Sequence, residues 1–350
     1  MQVGPRLGAV STSPALRVAV AGATGYIGIE CVSLIAAHPA MELTRVMGRS
    51  HAGEPYCEAV PGSEVSLPIE DTLEPDSAQV IFAALPHTVA AHHAAAWLAA
   101  GATVIDMSAD FRLHDPAAYR EWYAMEHPAP SLLEESVYGL PELHRDALRR
   151  ADLVAVPGCY PTATLLACVP ALRARLVEPD IVVDAKSGVS GAGRSASLGT
   201  HYAEVNESVR AYGVDGHRHK SEMLEQLRLA AQGDVRLTFV PHLVPMTRGI
   251  LATAYLRPLP GVGRADLEAA YRAFCEAEPF LCYTDRPAPT KSVSGTNVAA
   301  VNCGWQDGLA VVTVVIDNLI KGAAGQGVQA CNVRFGFDER AGLGRVALWP

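Results

Sequence analysis

Short apolar runs alternate with helix-period segments through the first half of the chain. Four of these runs have the length of strands, at residues 16–21, 42–47, 80–84 and 103–107. Strands that alternate with helices favour a parallel sheet with right-handed crossovers. Residues 1–157 are therefore predicted to form a Rossmann-type, doubly wound domain, with residues 1–14 as a frayed tail.

The pattern changes in the second half of the chain. The runs that read as strands there lie at residues 181–185, 235–240, 249–256, 297–304 and 309–317. Asp307-Gly308, between the last two, is a strong hairpin signal, so this sheet should be mixed and largely antiparallel. We predict an α+β domain over residues 158–321, its sheet buried on both faces, in part by a second subunit. The helix at 322–333 should pack back on the first domain, within a C-terminal segment 322–350.

A glycine-rich turn follows the first strand without a gap. It reads Gly22-Ala-Thr-Gly-Tyr-Ile-Gly28 and leads into a helix rich in Ala, Ile and Leu. Backbone N–H groups in such a turn, together with a helix N-terminus, suit the pyrophosphate of a dinucleotide. A tight turn without a ligand is the alternative, because the spacing differs from the commoner Gly-x-Gly-x-x-Gly. The strand and helix around the turn favour dinucleotide binding, with the candidate contacts Gly22, Thr24, Gly25, Tyr26 and Ile27.

The second strand ends in Gly48-Arg49-Ser50-His51. Sites specific for NAD usually place an acidic residue near this point, where it holds the ribose 2′-hydroxyl. Arg49 and Ser50 instead offer a cation and a hydroxyl, which suit a 2′-phosphate. The cofactor is therefore predicted to be NADP(H), and residues 1–157 are the predicted NADP-binding domain. A solvated surface arginine is the alternative interpretation of Arg49.

One cysteine lies at a break between an apolar run and a helix-period segment, in Pro157-Gly-Cys-Tyr-Pro-Thr162, where Thr162 is the predicted cap of a helix over residues 163–175. A thiol near a helix N-terminus is favoured as thiolate. From its own segment, Cys159 is equally well a buried core residue or a nucleophile. Ligands of parallel sheets collect at the carboxyl ends of strands, and Leu85, Pro86 and Ser108 also follow predicted strands. This convergence favours a site that contains Cys159, with those three residues as candidate cofactor contacts.

Two further polar segments are ambiguous from their residues alone. The loop Lys186-Ser-Gly-Val-Ser-Gly-Ala-Gly-Arg194 suits an oxyanion or phosphate, and a flexible surface loop is the alternative. His217 and His219 precede an amphipathic helix, where a histidine is either a general acid–base group or a structural residue. No metal site is predicted, because the remaining histidine cluster lacks an acidic or cysteine partner at ligand spacing; it consists of His87, His92 and His93.

Composition narrows the classes of partner. The 350-residue chain is long enough for two cores, and its net charge of −9 argues against nucleic acid or an anionic membrane as a partner. No apolar run approaches the roughly 20 residues of a transmembrane helix. Eight cysteines without a Cys-x-x-Cys pair predict a reduced, cytoplasmic protein.

Together these segments resemble the N-acetyl-gamma-glutamyl-phosphate reductases of arginine biosynthesis, a family within the semialdehyde dehydrogenases. The resemblance runs in order through nearly the whole chain from Arg17. Besides the glycine turn and the cysteine segment, the matching stretches are residues 106–112 (Asp-Met-Ser-Ala-Asp-Phe-Arg), 138–142 (Tyr-Gly-Leu-Pro-Glu), 186–193, 217–222 (His-Arg-His-Lys-Ser-Glu), 241–249 (Pro-His-Leu-Val-Pro-Met-Thr-Arg-Gly) and 317–326 (Asp-Asn-Leu-Ile-Lys-Gly-Ala-Ala-Gly-Gln). Ser221 departs from the family pattern, which has proline at that position.

The resemblance implies NADPH-dependent reduction of N-acetyl-gamma-glutamyl phosphate to N-acetylglutamate 5-semialdehyde, with release of phosphate. Cys159 matches the family's nucleophile, which forms a thioester, and His219 matches its base. The matching stretches also supply candidate cofactor contacts at Gly188 and Asn318 and candidate substrate contacts at Arg112, Ser187 and Glu222. The partner is then a small acyl-phosphate substrate. Residues 158–321 are the predicted catalytic and dimerisation domain, and a homodimer or homotetramer is expected.

Three other functions stay open. An aspartate-semialdehyde dehydrogenase would carry out the same chemistry on a shorter substrate. A cysteine hydrolase or acyltransferase with a vestigial nucleotide fold would turn over thioesters without NADPH. A nucleotide-sensing binding protein would use Cys159 only as a core residue.

Overall fold

Two seven-stranded sheets organise the protein, whose computed structural model describes residues 15–348. The first sheet is formed by strands between Leu16 and Ala155, and the second by strands between Asp180 and Ile316. The tail predicted over residues 1–14 lies outside the described residues.

The first sheet is entirely parallel. Its strands are β1 (Leu16–Ala21), β2 (Met41–Met47), β3 (Ile69–Glu70), β4 (Val80–Ala83), β5 (Thr103–Asp106), β6 (Val137–Tyr138) and β7 (Leu153–Ala155). The helices associated with it are α1 (Tyr26–Ala36), α2 (Tyr56–Ala59), α3 (Ala90–Ala99), α4 (Pro116–Tyr123) and α5 (Pro141–Leu148). Every residue of β4 and β5 is buried, because a parallel sheet is covered on both faces. The strand order β3-β2-β1-β4-β5-β7-β6 reverses between β1 and β4, which leaves a crevice at their carboxyl ends.

The second sheet is mixed. Its strands are β8 (Asp180–Ser187), β9 (Arg210–Ala211), β10 (Arg236–Leu243), β11 (Ile250–Leu256), β12 (Leu281–Tyr283), β13 (Ala299–Gln306) and β14 (Leu309–Ile316). The helices that follow β7 are α6 (Cys159–Arg173), α7 (Tyr202–Val205), α8 (His219–Ala231), α9 (Arg264–Glu276) and α10 (Gly325–Phe335). The strand order is β12-β13-β14-β11-β8-β10-β9, with only the β12–β13 and β8–β10 pairs parallel.

These two sheets confirm the predicted fold class, a doubly wound parallel sheet followed by a mixed, largely antiparallel one. The predicted hairpin is also confirmed. Asp307 (φ 49°) and Gly308 (φ 82°) form the two-residue turn between β13 and β14, and both occupy the left-handed region that such turns require.

Helix α6 is the centre of the second core. Residues 160–172 of this helix are all buried, and they pack against the second sheet and against α8 and α9. A helix that is apolar on every side is a core element. It begins at Cys159, whereas the sequence predicted residue 163. The Thr162 N–H (2.9 Å) and its Oγ1 (3.1 Å) both bond to the Gly158 carbonyl, so Thr162 belongs to the first turn rather than to the cap.

The C-terminal helix has two parts, whereas the sequence predicted one helix over residues 322–333. A π-helical turn at Ile320–Ala324 precedes α10, which then packs against α1, α5 and β5. Glycine is required within this turn, because a Cβ added to Gly322 would lie 2.7 Å from the Cβ of Cys159. The π-helical turn therefore passes directly beside the cysteine.

The two faces of the second sheet differ in cover: Val293 packs on Ala300 and Val315 of one face, whereas helices cover the other. Helices α6, α8 and α9 pack on that face. On the opposite face, Val182 and Tyr255 are 42% and 38% exposed. Because the prediction assigns some of this burial to a second subunit, it stays a prediction for an assembly of two or more chains.

Candidate active site

A cavity of about 970 Å³ lies where the crevice of the first sheet meets the start of α6. Its lining includes the glycine turn, the residues that follow β2 and β4, and the Pro157-Gly158-Cys159 turn. The second half of the chain contributes residues 190–195, Arg218 and His219, and some of the turn before α10. One continuous cavity thus brings together segments that are far apart in the sequence, and its size is at the upper end of ligand pockets, about 300–1,000 Å³.

The glycine turn has the shape of an anion cradle. Gly22 has a φ of 79°, and a Cβ there would overlap the carbonyl oxygen of Ala84. A Cβ at Gly28 would overlap the carbonyl oxygen of Gly22, so the helix packs tightly on the turn. The first turn of α1 has no acidic residue, and no side chain within residues 15–348 caps its N-terminus. The turn and the helix start therefore suit the phosphates of a dinucleotide.

Most of the predicted cofactor contacts border the cavity. They are Gly22, Thr24, Gly25, Tyr26, Ile27, Arg49, Ser50, Leu85, Pro86 and Asn318. Asn318 also holds neighbouring loops, because its Oδ1 accepts the Gly249 N–H at 2.8 Å and its Nδ2 donates to Ser190 Oγ at 3.0 Å.

Ser108 and Gly188 lie behind the lining instead. Ser108 is buried, where its Oγ donates to Asp106 at 2.9 Å and accepts the Asp110 N–H at 3.0 Å. Gly188 packs against backbone, since a Cβ there would lie 2.9 Å from the carbonyl oxygens of Met246 and Thr247. In this structure both residues shape the site from behind rather than border it.

Positive charge is concentrated in the cavity, although the whole chain has a net charge of −9. Among the described residues, the only carboxylate in the lining belongs to Asp71. The guanidinium groups in the lining are those of Arg49, Arg112, Arg194 and Arg218. Arg194 crosses from the second half of the chain and donates to the carbonyl of Thr24 in the glycine turn at 2.7 Å. The cavity therefore suits a ligand that carries several negative charges.

Cys159 is the first residue of α6 and borders the cavity. Burial raises the pKa of its thiol to about 11, and the nearby Arg112 guanidinium acts in the opposite direction. The thiol is therefore protonated at neutral pH, and a nucleophilic role requires a group that takes its proton.

His219 lies against the same turn. A Cβ on Gly158 would be 2.7 Å from His219 Nε2, so the imidazole lies directly beside the residue before Cys159. Burial, followed by the charges of His217, Arg112 and Arg218, holds the pKa of His219 well below 6.5. The ring is therefore neutral at pH 7 and able to accept a proton. Its Nδ1 has no hydrogen-bond partner within residues 15–348.

His217 supports this arrangement. The His217 Nδ1 accepts the backbone N–H of His219 at 3.1 Å, and the two ring centroids are 4.8 Å apart. Burial and the charge of Arg218 lower the pKa of His217 to about 4. Of the two rings, only His219 borders the cavity.

Of the predicted substrate contacts Arg112, Ser187 and Glu222, two are buried away from the cavity. Arg112 borders the cavity, but its donors are engaged by the carbonyls of Val156 (2.8 Å) and Met107 (3.1 Å) and by Glu222 (3.3 Å). Glu222 is fully buried and does not border the cavity. Ser187 is likewise buried, and its Oγ donates to the Gly188 carbonyl at 3.0 Å. Of the three, only Arg112 is in a position to touch a ligand in this cavity.

Sequence reasoning assigned no role to two residues that the structure places at the site. Gly322 lies against Cys159, and Arg218 borders the cavity beside His219. The signal for Arg218 was its position between two histidines in the 217–222 segment. Gly322 gave no local signal, because Cys159 is far from it in the sequence and only the fold brings the two together.

Two observations concern other classes of function. Within residues 15–348 no three His, Cys, Asp or Glu side chains are grouped as metal ligands. No helix over the same range combines the length and the apolar character needed to cross a membrane.

Comparison with known proteins places this site in a family. Residues 17–151 match a model described as the semialdehyde dehydrogenase NAD binding domain. Residues 159–318 match the semialdehyde dehydrogenase dimerisation domain. Among solved structures, aspartate semialdehyde dehydrogenase II of Vibrio cholerae has a TM-score of 0.72 and 17% identity, over 93% of this chain and 99% of that one. The structure of an aspartate semialdehyde dehydrogenase of Candida albicans with NADP has a TM-score of 0.69 and 16% identity, over 91% of this chain and 98% of that one. At these identities the likeness shows the fold alone.

Curated relatives define the family more narrowly. The N-acetyl-gamma-glutamyl-phosphate reductase of Ectopseudomonas mendocina is 47% identical over 96% of this chain and 100% of its own length. The protein of the same name from Dehalococcoides mccartyi is 45% identical over 95% of this chain and 99% of its own length. The chain belongs to the N-acetyl-gamma-glutamyl-phosphate reductase family of the semialdehyde dehydrogenases, and the resemblance noted in the sequence is confirmed.

Proposed function

We propose that the protein reduces N-acetyl-gamma-glutamyl phosphate to N-acetylglutamate 5-semialdehyde and releases phosphate. The observation that carries this proposal is the meeting of Cys159 and His219 at Gly158, in a cationic cavity that also contains the glycine turn. The names of the relatives supply the substrate class, and the geometry supplies a nucleophile, a proton acceptor and room for a charged cofactor.

The first half of the reaction is an acyl transfer to Cys159. His219, neutral at pH 7, takes the thiol proton while the sulfur attacks the acyl carbon. The carbon–oxygen bond to phosphate breaks, phosphate leaves and a thioester forms on Cys159. The positive charge of Arg112 and the N-terminus of α6 oppose the effect of burial and stabilise the developing negative charge.

The second half of the reaction requires a hydride donor. The nicotinamide cofactor, when bound, supplies this hydride to the thioester carbon. The protonated His219 then returns a proton as the semialdehyde is released, and Cys159 regains its starting state. The glycine turn fits the cofactor for two reasons. No side chain among the described residues caps the helix that follows it, and glycine at positions 22 and 28 keeps side chains out of its tightest backbone contacts.

NADP(H) rather than NAD(H) is the cofactor in this proposal. Arg49 and Ser50 follow β2 and border the cavity, where NAD-specific sites place an acidic residue. Arg49 is exposed and forms no ion pair among the described residues, so its charge is available to a 2′-phosphate.

A homo-oligomer belongs to the same proposal. The open face of the second sheet carries exposed apolar side chains, and the family model over residues 159–318 is described as a dimerisation domain. We place the catalytic and oligomerising domain at residues 158–321, between a cofactor-binding domain at residues 1–157 and the C-terminal segment 322–350. Light scattering that gives a monomer at micromolar concentration would contradict the oligomer.

One assay tests the reaction. N-acetylglutamate 5-semialdehyde, phosphate and NADP⁺ should yield NADPH, and omission of phosphate should stop the reaction. Cys159→Ser should reduce the rate below detection while NADPH binding, followed by fluorescence, persists. Near wild-type turnover by this variant would overturn the covalent mechanism.

Parallel reactions separate the alternatives. Faster turnover of aspartate semialdehyde than of the acetylated substrate would favour the aspartate enzyme. Hydrolysis of a thioester without any nicotinamide cofactor would favour a hydrolase or acyltransferase.

A further inference from the structure

Arg218 is a cation in the cavity without a partner among the described residues. It lies between His217 and His219, immediately before α8, and its side chain is exposed toward solvent. Neither an ion pair nor a side-chain hydrogen bond engages its guanidinium anywhere in residues 15–348.

The expected partner of Arg218 is used elsewhere. Glu222 is four residues further along α8, the spacing at which an arginine and a glutamate usually pair. Instead Glu222 is turned inward, where it accepts hydrogen bonds from Tyr138 (2.7 Å), Gly158 N–H (2.8 Å) and Arg112 (3.3 Å). The fold thereby leaves the charge of Arg218 uncompensated beside the catalytic turn.

The other arginines of the cavity have different positions. Arg112 is held by three partners beneath the cysteine turn. Arg194 is bonded to the glycine turn, and Arg49 follows β2 beside that turn. Arg218 is the free guanidinium on the histidine side of the cavity, among the residues described. Its charge acts there, because it contributes to the lowered pKa values of His87, His217 and His219 after burial, the largest cause.

The substrate of the proposed reaction has two anionic ends. The phosphate is attached to the carbon that Cys159 attacks, so it lies at the cysteine turn, close to Arg112 and the start of α6. The α-carboxylate is at the other end of the molecule, separated from the reacting carbon by two methylene groups and the α-carbon. A second cation, away from the thiol, is needed to bind that end.

We propose that Arg218 binds the α-carboxylate of the acyl-phosphate substrate through its planar guanidinium group. This assignment rests on the proposed function and goes beyond it by naming the residue that recognises the end of the substrate remote from the chemistry. A guanidinium forms paired hydrogen bonds with a carboxylate, whereas lysine binds as a point charge.

The test compares two aldehydes that differ only in this carboxylate. N-acetylglutamate 5-semialdehyde carries the carboxylate, and 4-acetamidobutanal has hydrogen in its place. For Arg218→Gln we expect kcat/KM to fall about 10- to 100-fold with the first aldehyde, the scale of a lost charge-assisted pair, and to stay within about twofold with the second. The KM values for phosphate and NADP⁺ should be unchanged, and Arg218→Lys should recover some of the loss.

Arg228→Gln is the matched control, since Arg228 is an exposed arginine on the same helix outside this cavity. It should leave both aldehydes unaffected. NADPH binding to Arg218→Gln, measured by fluorescence titration, checks that the variant is folded.

Each other outcome overturns the assignment. A rise in the KM for phosphate, with the preference for the carboxylated aldehyde retained, would assign Arg218 to the phosphate. Equal losses with both aldehydes would show a role in structure or in proton transfer. Failure of the wild-type protein to oxidise N-acetylglutamate 5-semialdehyde would overturn the proposed function itself, and this outcome is seen before any variant is measured.

Discussion

Glu222 Oε1 accepts the backbone N–H of Gly158 at 2.8 Å, and this hydrogen bond joins helix α8 to the turn that carries Cys159. The same carboxylate accepts from Tyr138 and pairs with Arg112 through its other oxygen. All four groups are buried, so the arrangement is rigid and expensive to disrupt. We therefore expect Glu222 to position the cysteine turn, and the prediction that it binds the substrate is open to the following test.

Glu222→Ala should lower kcat strongly and leave the KM values for aldehyde and phosphate nearly unchanged. The variant leaves Arg112 buried without a counter-charge, which costs about 3–5 kcal/mol of unfolding free energy. Denaturant unfolding and steady-state kinetics measure the two effects. Glu222→Gln keeps an acceptor for Gly158 and should retain more activity.

Glu225→Gln is the control for Glu222. Glu225 is on the same helix, but its ion pair with His114 is partly exposed. The change should lower the free energy of unfolding by about 0–1 kcal/mol and leave the activity unchanged. A raised substrate KM in Glu222→Ala with normal kcat would instead support the prediction that Glu222 binds the substrate.

His219→Asn should lower kcat about 10²- to 10⁴-fold, the usual scale for loss of a general acid–base group. His217→Asn should have a smaller effect, because His217 accepts the His219 N–H and does not border the cavity. Steady-state kinetics on both variants tests this order. If the His217 variant lost more activity, the two histidines would exchange roles.

Alkylation of Cys159 in the free protein should accelerate with pH. Because the thiol pKa is raised to about 11, only a small thiolate fraction is present at pH 7, and that fraction grows about tenfold per pH unit until pH 11 is approached. Iodoacetamide labelling followed by mass spectrometry measures this rate. The Cys159→Ala variant defines the background from the other cysteines. A labelling rate that levels off below pH 8 would show that the charge of Arg112 and the start of α6 outweigh burial at this thiol.

Arg49→Ala should raise the KM for NADPH about 10- to 100-fold and leave the KM for NADH unchanged, because only NADPH carries the 2′-phosphate. Arg45→Ala is a suitable control, since Arg45 is also on the β2 side but pairs with Glu70 at 3.4 Å. Equal effects of Arg49→Ala on both cofactors would argue against a 2′-phosphate contact.

Much of this fold could be predicted from local pattern. The apolar runs of β1, β4 and β5, the glycine turn and the Asp307-Gly308 hairpin each depend on short-range physics. The start of α6 was misplaced because Thr162 is a residue type preferred at helix N-caps, although in the structure it lies within the first turn. Local rules do not separate these two cases without knowledge of the backbone.

The site was predictable as a set of segments but not as a set of contacts. Lining residues such as Arg49 and Cys159 follow strands, and the carboxyl ends of parallel strands share one edge. Glu222 and Ser108 are as polar as the residues that line the cavity, yet the fold buries both of their side chains. Whether a polar side chain faces a ligand or the protein depends on partners such as Tyr138 and Asp106, which are set by tertiary packing.

The position of Cys159 has a consequence for folding. The chain leaves the first sheet through β7, and Cys159 then begins a helix whose residues 160–172 are buried in the second core. Neither half alone can fix the geometry of the thiol, and Gly322 reaches it only after the chain has returned from β14. Enzymatic activity should therefore appear late in folding, because it requires both cores and the returning C-terminal segment to be folded together.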